Sequence, residues 1–128
     1  MIYLDASVFL ARVLAEDRRP PDEFWAGPLT SSRLLVYETW VRLNDRGLVE
    51  RSEAVLRALL EQMTFLEMVR PVLARAREPF PVRLRTLDAL HLASADYLRG
   101  RGLDVKIATY DRRMGAAAEA LGFERYAL

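Results

Sequence analysis

Short apolar segments alternate with helical ones along most of this chain, and that alternation restricts the fold more than any other feature. Ile2–Leu4 is an apolar run ending in Asp5, the pattern of a buried strand. Ser7 is placed to cap a helix over residues 8–16, which packs through Val8, Phe9, Val13 and Leu14 before residues 18–21 break it. Asp22–Ala26 reads as one helical turn and Leu29–Ser32 as a brief strand. A helix over 33–46 is capped by Ser32 and stopped by Gly47. Ser52 caps a helix reaching residue 63, and the β-branched and aromatic stretch 64–69 reads as a strand. Pro71 opens a short helix, and Pro79 and Pro81 make 78–81 a loop. Thr86 caps a helix ending near Arg99, 105–109 is a strand, 112–121 a helix stopped by Gly122, and 123–127 a fifth strand. This order predicts an α/β fold with a mainly parallel sheet and helices on both faces. With 128 residues and no repeat, linker or low-complexity segment, residues 1–128 read as one domain.

Composition removes several kinds of chemistry. There is no cysteine, hence no disulfide, thiolate metal site or thiol nucleophile. A single histidine, His91, cannot build a His-rich zinc site. Any metal must be held mainly by oxygen, which favours magnesium or manganese. The net charge is only +1 and there is no basic tail, so attraction to nucleic acid would have to be local. No apolar run approaches the roughly 18–20 residues needed to cross a bilayer. The opening MIYLDAS has no basic start, long apolar stretch or cleavage site, so a cytoplasmic location is expected.

Four acids stand out by position. Asp5 ends the first strand and Asp111 follows the fourth, the class of place where open α/β sheets bind ligands. Asp is also common in turns and caps, so each has a structural reading as well. Glu38 shares a helical face with Leu34, Leu35 and Val41. A carboxylate there is costly unless paired or metal-bound, and Arg42, four residues on, is placed to pair with it. Asp88 lies in the first turn of its helix, where the dipole stabilises it, yet it also shares a face with His91 and Leu92. Were the four to converge, mutual repulsion would raise their pKa values, and a divalent cation would remove that penalty. Such an ion can hold a phosphodiester and activate water for in-line attack.

L-D-A-S-V at 4–8, S-S-R-L-L-V-Y-E at 31–38, L-D-A-L-H-L-A at 87–93 and A-T-Y-D-R-R-M at 108–114 resemble a PIN domain. The resemblance is to the VapC-type ribonuclease toxins of toxin–antitoxin pairs, and it spans nearly the whole chain. It implies a three-layer fold around a five-stranded parallel sheet, with the acids grouped at the strands' carboxyl ends. It implies metal ligation and catalysis by Asp5, Glu38, Asp88 and Asp111. Asp111 occupies the more variable T-x-D position, and Arg112, Arg113 and Met114 stand where some relatives carry another ligand. It implies magnesium- or manganese-dependent hydrolysis of RNA to a 5′-phosphate and a 3′-hydroxyl. It further implies a homodimer neutralised by a small antitoxin protein.

The remaining candidates have two readings each. Ser7 is a helix cap or a hydrogen-bond partner of Asp5, and Thr109 packs within its strand or supports the metal site. His91 reads as a satisfied core histidine, not a general base. Asp96 reads as a solvated residue. Arg83, Arg85, Arg112 and Arg113 flank two of the acids; Arg85 and Arg112 are candidates for RNA phosphate contacts, against a role as surface charges. Trp25, Trp40 and Phe65 read as core. Two further functions compete with the ribonuclease. One is a phosphatase of the haloacid dehalogenase type with Asp5 as nucleophile, which needs a downstream lysine that only Lys106 can supply. The other is a catalytically inactive PIN-like domain that binds RNA or a partner protein.

Overall fold

The computed structural model describes all 128 residues. Five strands, β1 (Ile2–Leu4), β2 (Leu29–Ser32), β3 (Thr64–Leu66), β4 (Lys106–Ala108) and β5 (Glu124–Arg125), form one sheet in the order β3-β2-β1-β4-β5. Every pairing is parallel. The helices are α1 (Ala6–Val13), α2 (Leu34–Arg46), α3 (Val49–Glu61), α4 (Arg70–Ala76), α5 (Thr86–Gly100) and α6 (Arg112–Ala120), with a 3-10 turn at Asp22–Ala26.

The alternating pleat of β1 explains the two-sided packing. Leu4 points into one apolar cluster with Phe9 of α1, Leu35 and Leu43 of α2 and Leu56 of α3. Tyr3 points the other way, into a cluster with Leu92 of α5, Ile107 of β4 and Met114 and Ala117 of α6. Helices therefore cover both faces, as the alternation predicts. Trp25 lies inside the first cluster, and Trp40 and Phe65 pack against it.

Boundaries differ from the sequence reading where capping was misassigned. Asp5, not Ser7, caps α1; its Oδ1 accepts from the amides of Ser7 at 3.1 Å and Val8 at 3.4 Å. α3 begins at Val49, so Ser52 is buried inside the helix, its amide bonded to the Leu48 carbonyl. Thr86 makes no side-chain cap on α5. Arg33 takes the N-cap position of α2 and makes no side-chain cap, while Ser32 Oγ, one residue earlier, accepts from the Leu34 amide at 3.1 Å. Gly47 ends α2 with φ of +64°, a left-handed conformation that glycine adopts without a Cβ clash. The third, fourth and fifth strands are shorter than their β-forming stretches, because only the paired residues join the ladder.

The chain runs outward from β1 to β2 and β3 on one side, and through β4 to β5 on the other. The order thus reverses between β1 and β4, and ligands of open α/β sheets bind at such a point, outside the carboxyl ends of the strands. Asp5 follows β1 and Asp111 follows β4, so both stand at this point.

Candidate active site

Asp5 is the most constrained acid, with 4% of its surface exposed. Beyond capping α1, its Oδ1 accepts from Ser7 Oγ at 2.5 Å, and its Oδ2 accepts from Thr109 Oγ1 at 2.6 Å. Both hydroxyls also accept: Ser7 Oγ across the gap between strands from the Tyr110 amide at 3.1 Å, and Thr109 Oγ1 locally from the Asp111 amide at 3.0 Å. The ends of β1 and β4 are thereby tied to one carboxylate. Burial pushes the Asp5 carboxyl above its ordinary range, against the lowering effect of the Ser7 and Thr109 hydroxyls.

Glu38 reaches the same region from α2. Its partner is His91 of α5, not Arg42: Oε1 bonds His91 Nε2, and Arg42 is in no ion pair. His91 is buried, and its Nδ1 lies 2.7 Å from the Tyr3 hydroxyl. That hydroxyl accepts from the Ser32 amide at 3.2 Å, which leaves its own proton to give to Nδ1. Burial raises the Tyr3 pKa, so it stays a protonated donor. The arrangement suits the histidine tautomer with its proton on Nε2, donated to Glu38. His91 is thus a satisfied buried histidine, as its sequence position suggests, and it also orients an acid of the site. Tyr3 was not visible as a site residue from sequence; its place inside the apolar run Ile2–Leu4 marks it only as core.

Asp88, in the first turn of α5, is half-buried. Burial raises its pKa first, and the negative charges of Asp111 and Asp5 raise it further; His91 and Arg85 oppose this. The repulsion expected of converging acids is therefore present at Asp88. Asp111 caps α6, its Oδ1 accepting from the Met114 amide at 2.8 Å.

All four acids, with Ser7 and His91, line one open cavity of about 720 Å³. Arg85 lines it too, while Arg112 lines a neighbouring groove of about 870 Å³ beside β5. Arg83 and Arg113 line neither. Asp96 is not a solvated bystander, since Arg75 at 3.3 Å and Arg99 at 2.8 Å pair with it. Arg18, Arg42 and Arg46 border the acid cavity, and sequence reasoning missed them as a group. The available signal was the four-residue spacing of Glu38, Arg42 and Arg46.

No three acidic or histidine side chains converge tightly enough to grip one ion directly. The donor set nonetheless fits a hard, oxygen-seeking cation. It is all carboxylate, the charges of Asp111 and Asp5 raise the Asp88 pKa, and magnesium keeps several of its own waters between itself and protein oxygens.

A five-stranded parallel sheet with four acids lining a cavity at its reversal point defines the class: an open-sheet α/β protein with an acidic site at the carboxyl ends of its strands. The family model for the PIN domain matches residues 2–120, and the chain belongs to the PIN-domain family. It is similar to ribonuclease VapC46 of Mycobacterium tuberculosis, with 35% identity over 125 residues, covering 94% of this chain and 92% of the relative. It is also similar to ribonuclease VapC47 of Mycobacterium tuberculosis, with 29% identity covering 96% and 93%. Among solved structures, Mycobacterium tuberculosis VapC20, described as a sarcin–ricin loop cleaving toxin, shares the fold with a TM-score of 0.71 over the full length of both chains at 21% identity. A toxin–antitoxin complex from Klebsiella pneumoniae matches with a TM-score of 0.56, 16% identity and 91% coverage of each chain.

Proposed function

We propose that this chain is an endoribonuclease, the toxin of a toxin–antitoxin pair, that hydrolyses RNA phosphodiester bonds with a divalent cation. The observation that carries the proposal is the meeting of Asp5, Glu38, Asp88 and Asp111 in one cavity, from four elements far apart in sequence. The names of the VapC ribonucleases it resembles over nearly its whole length support RNA as the substrate. Asp5, Glu38, Asp88 and Asp111 would hold magnesium, or manganese in its place. When bound, that ion supplies Lewis acidity, lowering the pKa of water and offsetting charge on the phosphate.

The chain's own residues then do the positioning. Ser7 and Thr109 hold both Asp5 oxygens, so this acid cannot swing away from the cavity. His91 fixes Glu38 through a bond anchored on Tyr3. Asp88 and Asp111 contribute negative charge that the cation neutralises. Arg85, beside Asp88, is suited to a phosphate oxygen. No step needs a side-chain nucleophile. The haloacid dehalogenase reading fails on its lysine, because Lys106 Nζ pairs with Glu124 of β5 at 2.8 Å and lies outside the cavity.

The proposed partners are RNA, a small cognate antitoxin and a second copy of the chain, in the cytoplasm, with residues 1–128 acting as one PIN domain. No helix is long and apolar enough to cross a membrane. The test is cleavage of RNA by purified, antitoxin-free protein with manganese. Cleavage should stop with EDTA and with Asp5→Asn or Asp88→Asn. A protein that binds RNA but cuts none, with manganese affinity independent of Asp5 and Glu38, would instead be an inactive binding domain.

A further inference from the structure

The acid cavity carries positive charge beyond the Arg85 that the chemistry above uses. Arg18 is committed, its guanidinium bonded to the Tyr110 carbonyl at 3.2 Å and stacked over the Tyr110 ring. Arg85 stands by Asp88. Arg42 and Arg46 are different. Both line the cavity and both are exposed. Neither is in an ion pair, although carboxylates line the same cavity. Neither lies over an aromatic ring.

Their placement on α2 is regular. Arg42 is four residues after Glu38, and Arg46 four after Arg42. Each four-residue step advances about 6 Å along a helix and turns only roughly 40° around it. Glu38, Arg42 and Arg46 thus form one row, the acid at the site and the two arginines leading away from it. The spacing is close to that of successive phosphates along an extended nucleic-acid strand. An isolated anion would need one such group; a repeated anion uses two. The planar guanidinium fork suits phosphate oxygens. Leu10 and Leu14 of the α1 segment line the same cavity at the same four-residue spacing and give an apolar surface for bases.

We propose that Arg42 and Arg46 bind two successive phosphates of single-stranded RNA on one side of the cut, so that the strand runs along α2 away from Glu38. The proposal rests on the ribonuclease reading and adds the path of its substrate. Arg46 also sits in the last turn of α2, where a cation favours the helix dipole, so its loss carries a small stability effect. Arg42 has no such second role, and its variant keeps the proposal testable.

The experiment measures binding of a fluorescent single-stranded RNA over a range of salt concentrations, in a cleavage-blocked Asp5→Asn background. Arg42→Gln, Arg46→Gln and the double variant are compared with Arg57→Gln, whose arginine is exposed on α3 outside the cavity. Each lost phosphate contact should make the log–log salt slope shallower by about 0.7, and the double variant by about 1.4. Arg57→Gln should leave the slope unchanged. In the chain with Asp5 intact, the double variant should raise KM for RNA cleavage while its manganese affinity, read by calorimetry, stays at the parent value. If the parent cuts RNA but the salt slope ignores both arginines, the substrate path is wrong and the ribonuclease reading stands. If the parent neither binds nor cuts RNA, both fall. If an acidic peptide binds with Arg42 and Arg46 dependence while RNA does not, the occupant is a protein and the proposal is overturned.

Discussion

Glu38 and Tyr3 do not touch, yet one buried imidazole holds both: His91 bonds Glu38 through Nε2 and Tyr3 through Nδ1. The bridge ties an acid on α2 to the strand that carries Asp5. Hydrogen-bond partners of a metal-ligating carboxylate tune metal affinity almost as directly as the ligands do.

Replacing His91 should therefore affect two measurements. His91→Ala takes away the donor to Glu38 and the acceptor of the buried Tyr3 proton, the latter a cost of about 1–3 kcal/mol, read as a lower urea midpoint. It should also weaken manganese binding, by calorimetry, about 10- to 100-fold. His91→Gln, which can still donate to Glu38, should recover part of the affinity. A stability loss with unchanged manganese affinity in both variants would reduce His91 to core packing.

Metal should stabilise the chain and the four acids should mediate it. Binding to the folded state alone adds about 2.7 kcal/mol at a ligand concentration 100 times Kd. Thermal unfolding with and without manganese measures this. The melting temperature should rise with manganese, return with EDTA, and rise much less in Glu38→Gln or Asp88→Asn. Full stabilisation in both variants would place the ion elsewhere.

How far the sequence disclosed this site depends on the length scale of each interaction. The alternation of strands and helices, the parallel sheet and the two-sided core follow from local pattern, and Asp5, Asp88 and Asp111 were marked by their places at strand and helix ends. Glu38 was marked by its apolar face, but its partner was misread. The sequence offers Arg42 four residues away, whereas His91 lies 53 residues on and reaches Glu38 only once α2 and α5 pack. Of the two readings of Ser7, the hydrogen bond to Asp5 holds and the cap does not: Asp5 and Ser7 are both competent caps, and only the turn geometry decides that the carboxylate accepts while the hydroxyl donates. The Asp5–Thr109 bond spans 104 residues and leaves no local trace.

The stability of the metal-free chain should fall as pH rises. The folded-state pKa values of Asp5 and Asp88 are raised by burial, so the folded state binds more protons than the unfolded state above the ordinary carboxylate value of 3.8. Their contribution is fully present below that value and is lost as pH climbs through the raised folded values. Urea unfolding in EDTA across this range should show the decline, and Asp88→Asn should flatten it. With saturating manganese the slope should reverse, because the cation favours the ionised acids. A decline that persists in Asp5→Asn combined with Asp88→Asn would assign it to other groups.

Thr109→Val should test how tightly Asp5 must be held. Valine keeps the shape and loses the hydroxyl that donates to Asp5 Oδ2 at 2.6 Å and accepts from the Asp111 amide at 3.0 Å. Thr109 is buried, so water cannot freely replace either bond. The expected cost is about 1–3 kcal/mol of stability. Losing one of its donors should also push the Asp5 carboxyl further up, because the Thr109 hydroxyl is one of the groups holding it down. The pH at which manganese binding reaches half its maximum should therefore shift upward in Thr109→Val and stay near the parent value in Thr109→Ser, which keeps the hydroxyl. Calorimetric titrations at several pH values measure this. Equal midpoints in valine and serine variants would show that Asp5 is held by Ser7 and the α1 amides alone.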